Sequence, residues 1–368
     1  MIDEKKLVDL FCELVKIDSP SLQERAMADR VSALFRELGG EVFEDQASSA
    51  IGGNCGNLII TLPGELPGRP LLLAVHLDTV EPCRGKIAAV GDDGLIRSTG
   101  KTILGADDIA GIAAILAAVS SIQAEHIPRR SLEILLTVGE ELHLLGSSHL
   151  DISRLQAREA YVLDTSGPPG LAVIQAPGHI GLVFEFFGQS AHAGIAPEQG
   201  ISAIQAAARG IARLKLGRVD LETTSNIGRI EGGGETNVIP DYCRVTAECR
   251  SLQIEHLREQ VLEIRRCMEL GAMETNAHLQ VTERISYLPY HVDPSSEVVR
   301  RFVQACGKLS LPISLTATGG GSDNNILACQ GIEGIVISCG MEKVHSCEEQ
   351  IKISDLVNTA RLVRLIIT

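Results

Sequence analysis

Seven side chains are of types that bind a cation or move a proton, and they recur in short motifs. In LLLAVHLDTV, His76 and Asp78 are two apart, so on an extended strand they point the same way. A metal-bound imidazole usually donates its other ring N–H to a carboxylate, and Asp78 can supply one. In LGADDIAGIAAI, Asp107 stands two residues after a glycine and just before a helical pattern, where its carboxylate can face a cleft. In LLTVGEELHLLGS, Glu140 and Glu141 are adjacent. Neighbouring carboxylates repel unless a cation or a proton intervenes. A metal-ligating Glu beside a general-base Glu meets that requirement. Asp164 in YVLDTSG and His345 in KVHSCEEQI complete the set.

Each of these has a plain alternative. His76 and Asp78 could be a polar pair at a strand end. Asp107 could be a helix N-cap, a position Asp favours, although Asp108 is free to take that job. The other acids could be solvated loop residues, and His345 is one of ten histidines. The weight lies in the combination, spread over consecutive strand ends where α/β folds place their sites.

Other chemistries fit poorly. Gly94 to Thr102 imitates a phosphate loop, but it has five residues between its glycines where four are needed, and no apolar strand precedes it. GQSAH at 188 fails the last position of G-x-S-x-G. Neither HExxH nor a zinc-finger spacing occurs. A net charge of −14, with no cluster of Lys and Arg, argues against nucleic acid as a partner. The ten cysteines contain no CxxC pair and read as free thiols in a reducing cytoplasm, about nine in ten of them small buried apolar residues. The N-terminal stretch reads as an amphipathic helix rather than a secretory signal. The apolar run Ile109 to Val119 is too short to span a bilayer, so no membrane partner is expected.

The elements that must position these residues alternate along the chain. A chain of 368 residues suggests two domains. Up to about 178, Leu7, Leu10, Phe11 and Leu14 mark a helix. Ser21 and Glu24 form a capping-box pattern before a second helix that ends near Leu38. Leu58–Leu62, Leu71–Val75, Leu132–Val138 and Ala160–Leu163 read as strands, and Ile109–Val119 as a helix. Strands separated by helices imply an α/β sheet with covered faces. From 179 to 289 the rhythm changes to β-α-β-β-α-β, the ferredoxin-like order. Cys243, Val245, Ala247 and Cys249 alternate there with polar residues, and Ile254, Leu257, Val261, Ile264 and Met268 follow helical spacing. After 290 the α/β pattern resumes. Residues 1–178 and 290–368 therefore read as one discontinuous α/β domain interrupted by an inserted α+β domain.

HLDTV, GADD, GEE, LD before small residues, SAHAG and the late VHS, in that order, resemble the di-zinc exopeptidase and aminoacylase family over nearly the whole chain. GADD and Asp164 make the resemblance greatest to its peptidase T-like members, the tripeptide aminopeptidases. The resemblance implies a zinc-exopeptidase-like catalytic domain with a ferredoxin-like lid or dimerisation domain. It implies that His76 and Asp164 hold one zinc, that Glu141 and His345 hold the other, and that Asp107 bridges them. Cobalt and manganese are alternative metals for this His and carboxylate set. It further implies that Asp78 orients His76, that Glu140 is the general base, and that His192 of the inserted domain faces the reacting carbonyl. Asn237, Arg250 and the loop Gly319, Gly320, Gly321 resemble substrate-contacting segments. A cis peptide after Asp107 is expected on the same ground. Short peptides are the expected substrate, and a homodimer through the inserted domain is a further expectation.

The chain departs from the family pattern at two places. Ile109 stands where many members carry Lys, and His143 stands where a small residue usually follows the paired Glu. Two other readings remain open at this point. A carboxypeptidase or N-acyl amino acid deacylase could use the same metals, against which the Asp at 164 speaks. A catalytically silent binding protein would be expected to have lost a ligand or the base, and none is lost here.

Overall fold

Leu7, Phe11 and Leu14 all lie on the buried side of helix α1 (Glu4–Val15) in the computed structural model, which describes residues 1–368. The chain forms two units. The first comprises Met1–Ile174, His291–Ala317 and Ser322–Thr368, and the second Gln175–Tyr290 with Thr318–Gly321.

In the first unit the strands are β1 (Glu41–Glu44), β2 (Leu58–Leu62), β3 (Leu66–His76), β4 (Ala88–Val90), β5 (Leu95–Ser98), β6 (Arg130–Thr137), β7 (Glu159–Thr165) and β8 (Leu171–Ala176). Those of the second unit are β9 (Gly178–Phe187), β10 (Gly217–Arg218), β11 (Thr223–Gly232), β12 (Tyr242–Ser251) and β13 (His278–Tyr287). They are followed by β14 (Tyr290–His291), β15 (Ser314–Ala317), β16 (Glu333–Ser338), β17 (Met341–Glu342) and β18 (Gln350–Lys352).

The main sheet of the first unit runs β1-β2-β6-β3-β7-β16-β8-β14, with β15 beside β8. Its centre is parallel: β6 with β3, β3 with β7, and β7 with β16. Parallel neighbours end at one edge, so the residues that follow β3, β6, β7 and β16 emerge together. The central strands are apolar on both faces, as Leu71 to Val75 illustrate, because helices cover both sides. After helices α2 (Arg25–Glu37) and α3 (Ala47–Ile51), helix α4 (Ala106–Ala124) is apolar all round and packs against β3, β7, α1 and the C-terminal helix Ile353–Ile367. The apolar run at Ile109 is thus part of a longer helix than expected. It is the one helix of a length and composition that could cross a membrane, and it is buried in the core.

The second unit builds the antiparallel sheet β10-β11-β12-β9-β13. Its first and fourth long strands are neighbours, which is the ferredoxin-like arrangement. Ile180, Leu182, Phe184 and Phe186 alternate inward opposite Cys243, Val245, Ala247 and Cys249. Helices Ala203–Ile211 and Ile254–Thr275 cover that face. They approach closely at Gly210 and Gly271, where a Cβ on Gly271 would lie 2.4 Å from the Ala206 carbonyl oxygen. Residues 318–321 pack with this unit because Arg250 donates to the Gly319 carbonyl and Gly321 lies against the Tyr287 ring. All ten cysteines are unpaired; seven are buried, and Cys329 and Cys347 are exposed.

The capping box expected at Ser21 and Glu24 does not form. Helix Arg25–Glu37 starts after Glu24 without a side-chain cap. Each side chain has a distant partner instead: Ser21 Oγ donates to Asp78, and Glu24 Oε1 accepts from Gly139 N as well as from the nearby Leu22 N. Burial and then the charge of Asp78 push the Glu24 carboxyl up from 4.5 to about 7. A raised pKa in the folded state means tighter proton binding there, so the stabilisation is present below about 4.5 and is lost as pH rises to about 7. Glu24→Gln keeps one acceptor and cannot ionise. The stability of the unaltered protein relative to this variant, taken from denaturant midpoints, should therefore fall across that window and level off above it. A difference that stays flat with pH would show that Glu24 does not titrate there.

Candidate metal centre and active site

The edge where the parallel strands end gathers the site. His76 closes β3 and is buried. Its Nδ1 lies 2.9 Å from the backbone carbonyl of Asp78 and 3.5 Å from that residue's Oδ1. A carbonyl only accepts, so Nδ1 carries the proton and Nε2 is left with its lone pair turned to the cluster. Nε2 is 3.1 Å from Asp107 Oδ1 and 3.8 Å from Asp164 Oδ1.

The Asp78 carboxylate has a second task that its spacing from His76 does not reveal. Its Oδ1 accepts from Glu140 N at 3.0 Å, and Oδ2 accepts from Glu141 N at 3.2 Å and Ser21 Oγ at 2.7 Å. One fully buried side chain therefore ties the end of β3 to the turn after β6. Gly139, at φ 58°, makes that turn possible.

Asp107 does not cap α4, and neither does Asp108. The cap residue is Gly105, which has no side chain to offer. Asp108 Oδ2 accepts from His76 N at 3.3 Å instead. The peptide between Asp107 and Asp108 is cis. Asp107 presents Oδ1 to His76 and Oδ2 to His345, whose Nε2 is 3.3 Å away. His345 also stands 2.9 Å from Glu141 Oε1. One carboxylate thus lies between two imidazoles on separate parts of the chain.

The electrostatics are those of a crowded acid cluster. Burial, then the charge of Asp107, pushes Asp164 well above the usual carboxylate range. Burial, then Asp164, does the same to Glu140. Asp107 is also pushed up by burial, but hydrogen bonds from His345 and His76 outweigh this and hold it low. His345 is raised to about 10 by Asp107 and then Glu141. A cluster of this kind binds protons tightly unless cations replace them. The donor atoms of His76, Glu140 and Asp164 lie within 4.8 Å of one another, and so do those of His76, Asp107 and Glu141. Oxygen and imidazole donors without a thiolate suit zinc and its first-row neighbours. The residues fit a metal.

His192, Asn237, Arg250 and Gly319–Gly321 belong to the second unit. His192 is exposed and its Nδ1 accepts from Gly194 N at 3.2 Å. Asn237 is held close by, with its carbonyl accepting from Ala193 N. Arg250 donates through Nη2 to Glu248 and through Nη1 to Gly319 O, while its buried Nε has no partner. In the glycine loop, the Gly320 N–H is engaged by Thr318 Oγ1. Ser322, just beyond the loop, caps helix Asp323–Cys329.

A buried acid close to the site escaped the sequence reading. Asp323 accepts from Thr137 Oγ1 at 2.5 Å and contributes charge at Glu140 and Asp164. Its only sequence signal was its place in the GGGSDNN motif.

The chain has well-defined relatives. Residues 57–175 match peptidase family M28, and residues 174–275 match the peptidase dimerisation domain of M20 enzymes. The chain is 38% identical over 367 residues to the uncharacterized protein YqjE of Bacillus subtilis, covering 100% of this chain and 99% of that one. The crystal structure of aminopeptidase PepT from Bacillus cereus is 40% identical with a TM-score of 0.93, covering 100% of this chain and 98% of that one. A tripeptidase structure from Staphylococcus aureus is 36% identical with a TM-score of 0.96 at the same coverage. With the site geometry, these likenesses show that the chain is an enzyme and belongs to the peptidase T-like family of metallopeptidases.

Proposed function

We propose that this enzyme removes the N-terminal residue from short peptides, tripeptides above all, at a two-zinc site. The observation that carries the reading is Asp107, whose two carboxylate oxygens each face a different histidine. That arrangement supports Asp107 as a bridge between a position held by His76 and Asp164 and a position held by Glu141 and His345. Two bound zinc ions would polarise the scissile carbonyl and make a water acidic enough to lose a proton near neutral pH. Glu140, beside Asp164 and His76, takes that proton and passes it to the leaving amine. Asp78 orients His76 through its backbone carbonyl and holds the Glu140–Glu141 turn through its carboxylate.

Glu140→Gln preserves shape and removes the base. Turnover should fall by about a hundredfold to ten-thousandfold with metal content unchanged, as measured by elemental analysis beside a peptide assay. Loss of metal instead would exchange the roles of Glu140 and Glu141.

The assignment of His192 as a donor to the carbonyl oxygen is carried by the family resemblance. His192→Ala should lower kcat more than it raises KM, since such a contact strengthens as charge develops. Unchanged kcat would remove His192 from the mechanism.

Asn237, Arg250 and the Gly319–Gly321 loop are proposed contacts for the peptide, with its C-terminal carboxylate near the loop. The aminopeptidase and tripeptidase names of the structural relatives support this substrate class. The peptidase dimerisation match supports a homodimer through the second unit. Ala-Ala-Ala should be cleaved faster than its N-acetylated and C-amidated forms, and faster than N-acetyl amino acids. A preference for the acetylated compounds would make the enzyme a deacylase on the same metals.

A further inference from the structure

Four residues beyond His345, the same motif carries Glu349, a carboxylate with no role so far. It is 1% exposed. Its oxygens meet the turn that enters α4: Oε2 accepts from Gly105 N at 2.6 Å, and Oε1 accepts from Asp107 N at 3.1 Å. Both are hydrogen bonds to an acidic side chain, the stronger kind. Glu349 thereby supplies from outside the side-chain cap that α4 lacks at Gly105.

The turn has little freedom to use another partner. Gly105 stands at φ 77°, and a Cβ there would lie 3.2 Å from Lys86 Cε and 3.3 Å from Thr79 Cγ2. The buried Lys86 ammonium is itself engaged by the Ile17 carbonyl and Thr79 Oγ1.

Glu349 also ends the loop that carries His345. Lys343 and His345 both sit at positive φ, 55° and 60°, which ordinary residues adopt only when the surroundings impose it. Inside the loop, Glu349 N donates to the Ser346 carbonyl at 3.1 Å. Across to the segment before α4, Cys347 Sγ donates to the Lys101 carbonyl at 3.2 Å. Glu349 is therefore joined to His345 through four residues of chain and to Asp107 through a hydrogen bond. His76 and Asp164 have no such need. They lie at or next to the ends of adjacent parallel strands, β3 and β7, and the sheet itself sets their spacing.

We propose that Glu349 is a positioning residue that acts more strongly on the more exposed metal position, made by Glu141, His345 and the shared Asp107, than on the buried position made by His76, Asp164 and the same Asp107. The proposal rests on the two-metal reading of the site. Without Glu349, the Asp107 N–H loses its partner and the His345 loop loses its tether. The more exposed position then has two of its donors loosened, Asp107 and His345, whereas the buried position has Asp107 alone loosened and keeps its strand-held donors.

The test is a zinc titration of the metal-free protein against a chromophoric chelator, not an activity assay. The unaltered protein should take up two ions; uptake of only one would overturn the two-metal reading and this proposal with it. Given two, Glu349→Gln should bind one ion about tenfold to a hundredfold more weakly, the usual effect of removing a partner that orients a metal donor, and the other with a clearly smaller loss. The glutamine retains one acceptor oxygen but turns an NH2 group toward the second N–H. Glu349→Asp keeps the charge on a shorter arm and should weaken the same position by a smaller factor. Equal weakening of both positions, or of neither, would overturn the proposal. So would loss of a cooperative thermal transition in both metal-free variants, because a residue on which the whole unit depends does not select one position.

Discussion

The structure is organised around a concentration of like charge. Asp107, Glu140, Glu141 and Asp164 converge on His76 and His345 at one edge of a parallel sheet, with Asp78, Asp108 and Asp323 buried close behind. Carboxylates packed this tightly and removed from water cannot all remain ionised unaided, and the strong upward push on Asp164 and Glu140 expresses that. A metallopeptidase uses this otherwise unfavourable arrangement as its binding energy for cations. The rest of the unit holds the acids in place against their mutual repulsion.

It does so chiefly with backbone N–H groups. Asp78 takes those of Glu140 and Glu141, Glu24 takes those of Leu22 and Gly139, Asp108 takes that of His76, and Glu349 takes those of Gly105 and Asp107. Each pairing answers two demands at once. It satisfies a buried main-chain donor that would otherwise be costly, and it fixes the turn from which a neighbouring side chain projects. Rigid donors lower the cost of ordering the site when a cation or a peptide arrives.

The second unit follows a different logic. Its sheet and two helices share one aliphatic core, packed closely at Gly210 and Gly271, and its polar network of His179, Glu248 and Arg250 lies at the end where Gly319 returns to it. That network draws Glu248 down to about 2, through His179 first, so Glu248 stays charged and keeps Arg250 in position.

Local pattern was enough to reveal much of this. The period of Leu7, Phe11 and Leu14 identified α1, the alternation of Cys243 to Cys249 identified β12, and the β-α-β-β-α-β order identified the ferredoxin-like unit, because burial on one face imposes a period on the residues themselves. The motifs bearing His76, Asp107, Glu140, Glu141, Asp164 and His345 were also legible, since strand ends and paired acids are local features. What local pattern misjudged were side chains with distant partners. Ser21 and Glu24 carry the letters of a capping box, yet they serve Asp78 and Gly139. Thr137 meets Asp323 across 186 positions, and Gly105 meets Glu349 across 244. The parallel order β6-β3-β7-β16 decides which ends become neighbours, and only then does a buried carboxylate find the N–H group it must satisfy. The sequence by itself determined which residues could bind metal and which faces would be buried. The tertiary structure alone decided which carboxylates converge on the two imidazoles and which are spent on the backbone, because that choice depends on chain segments brought together by strand order rather than by proximity in sequence.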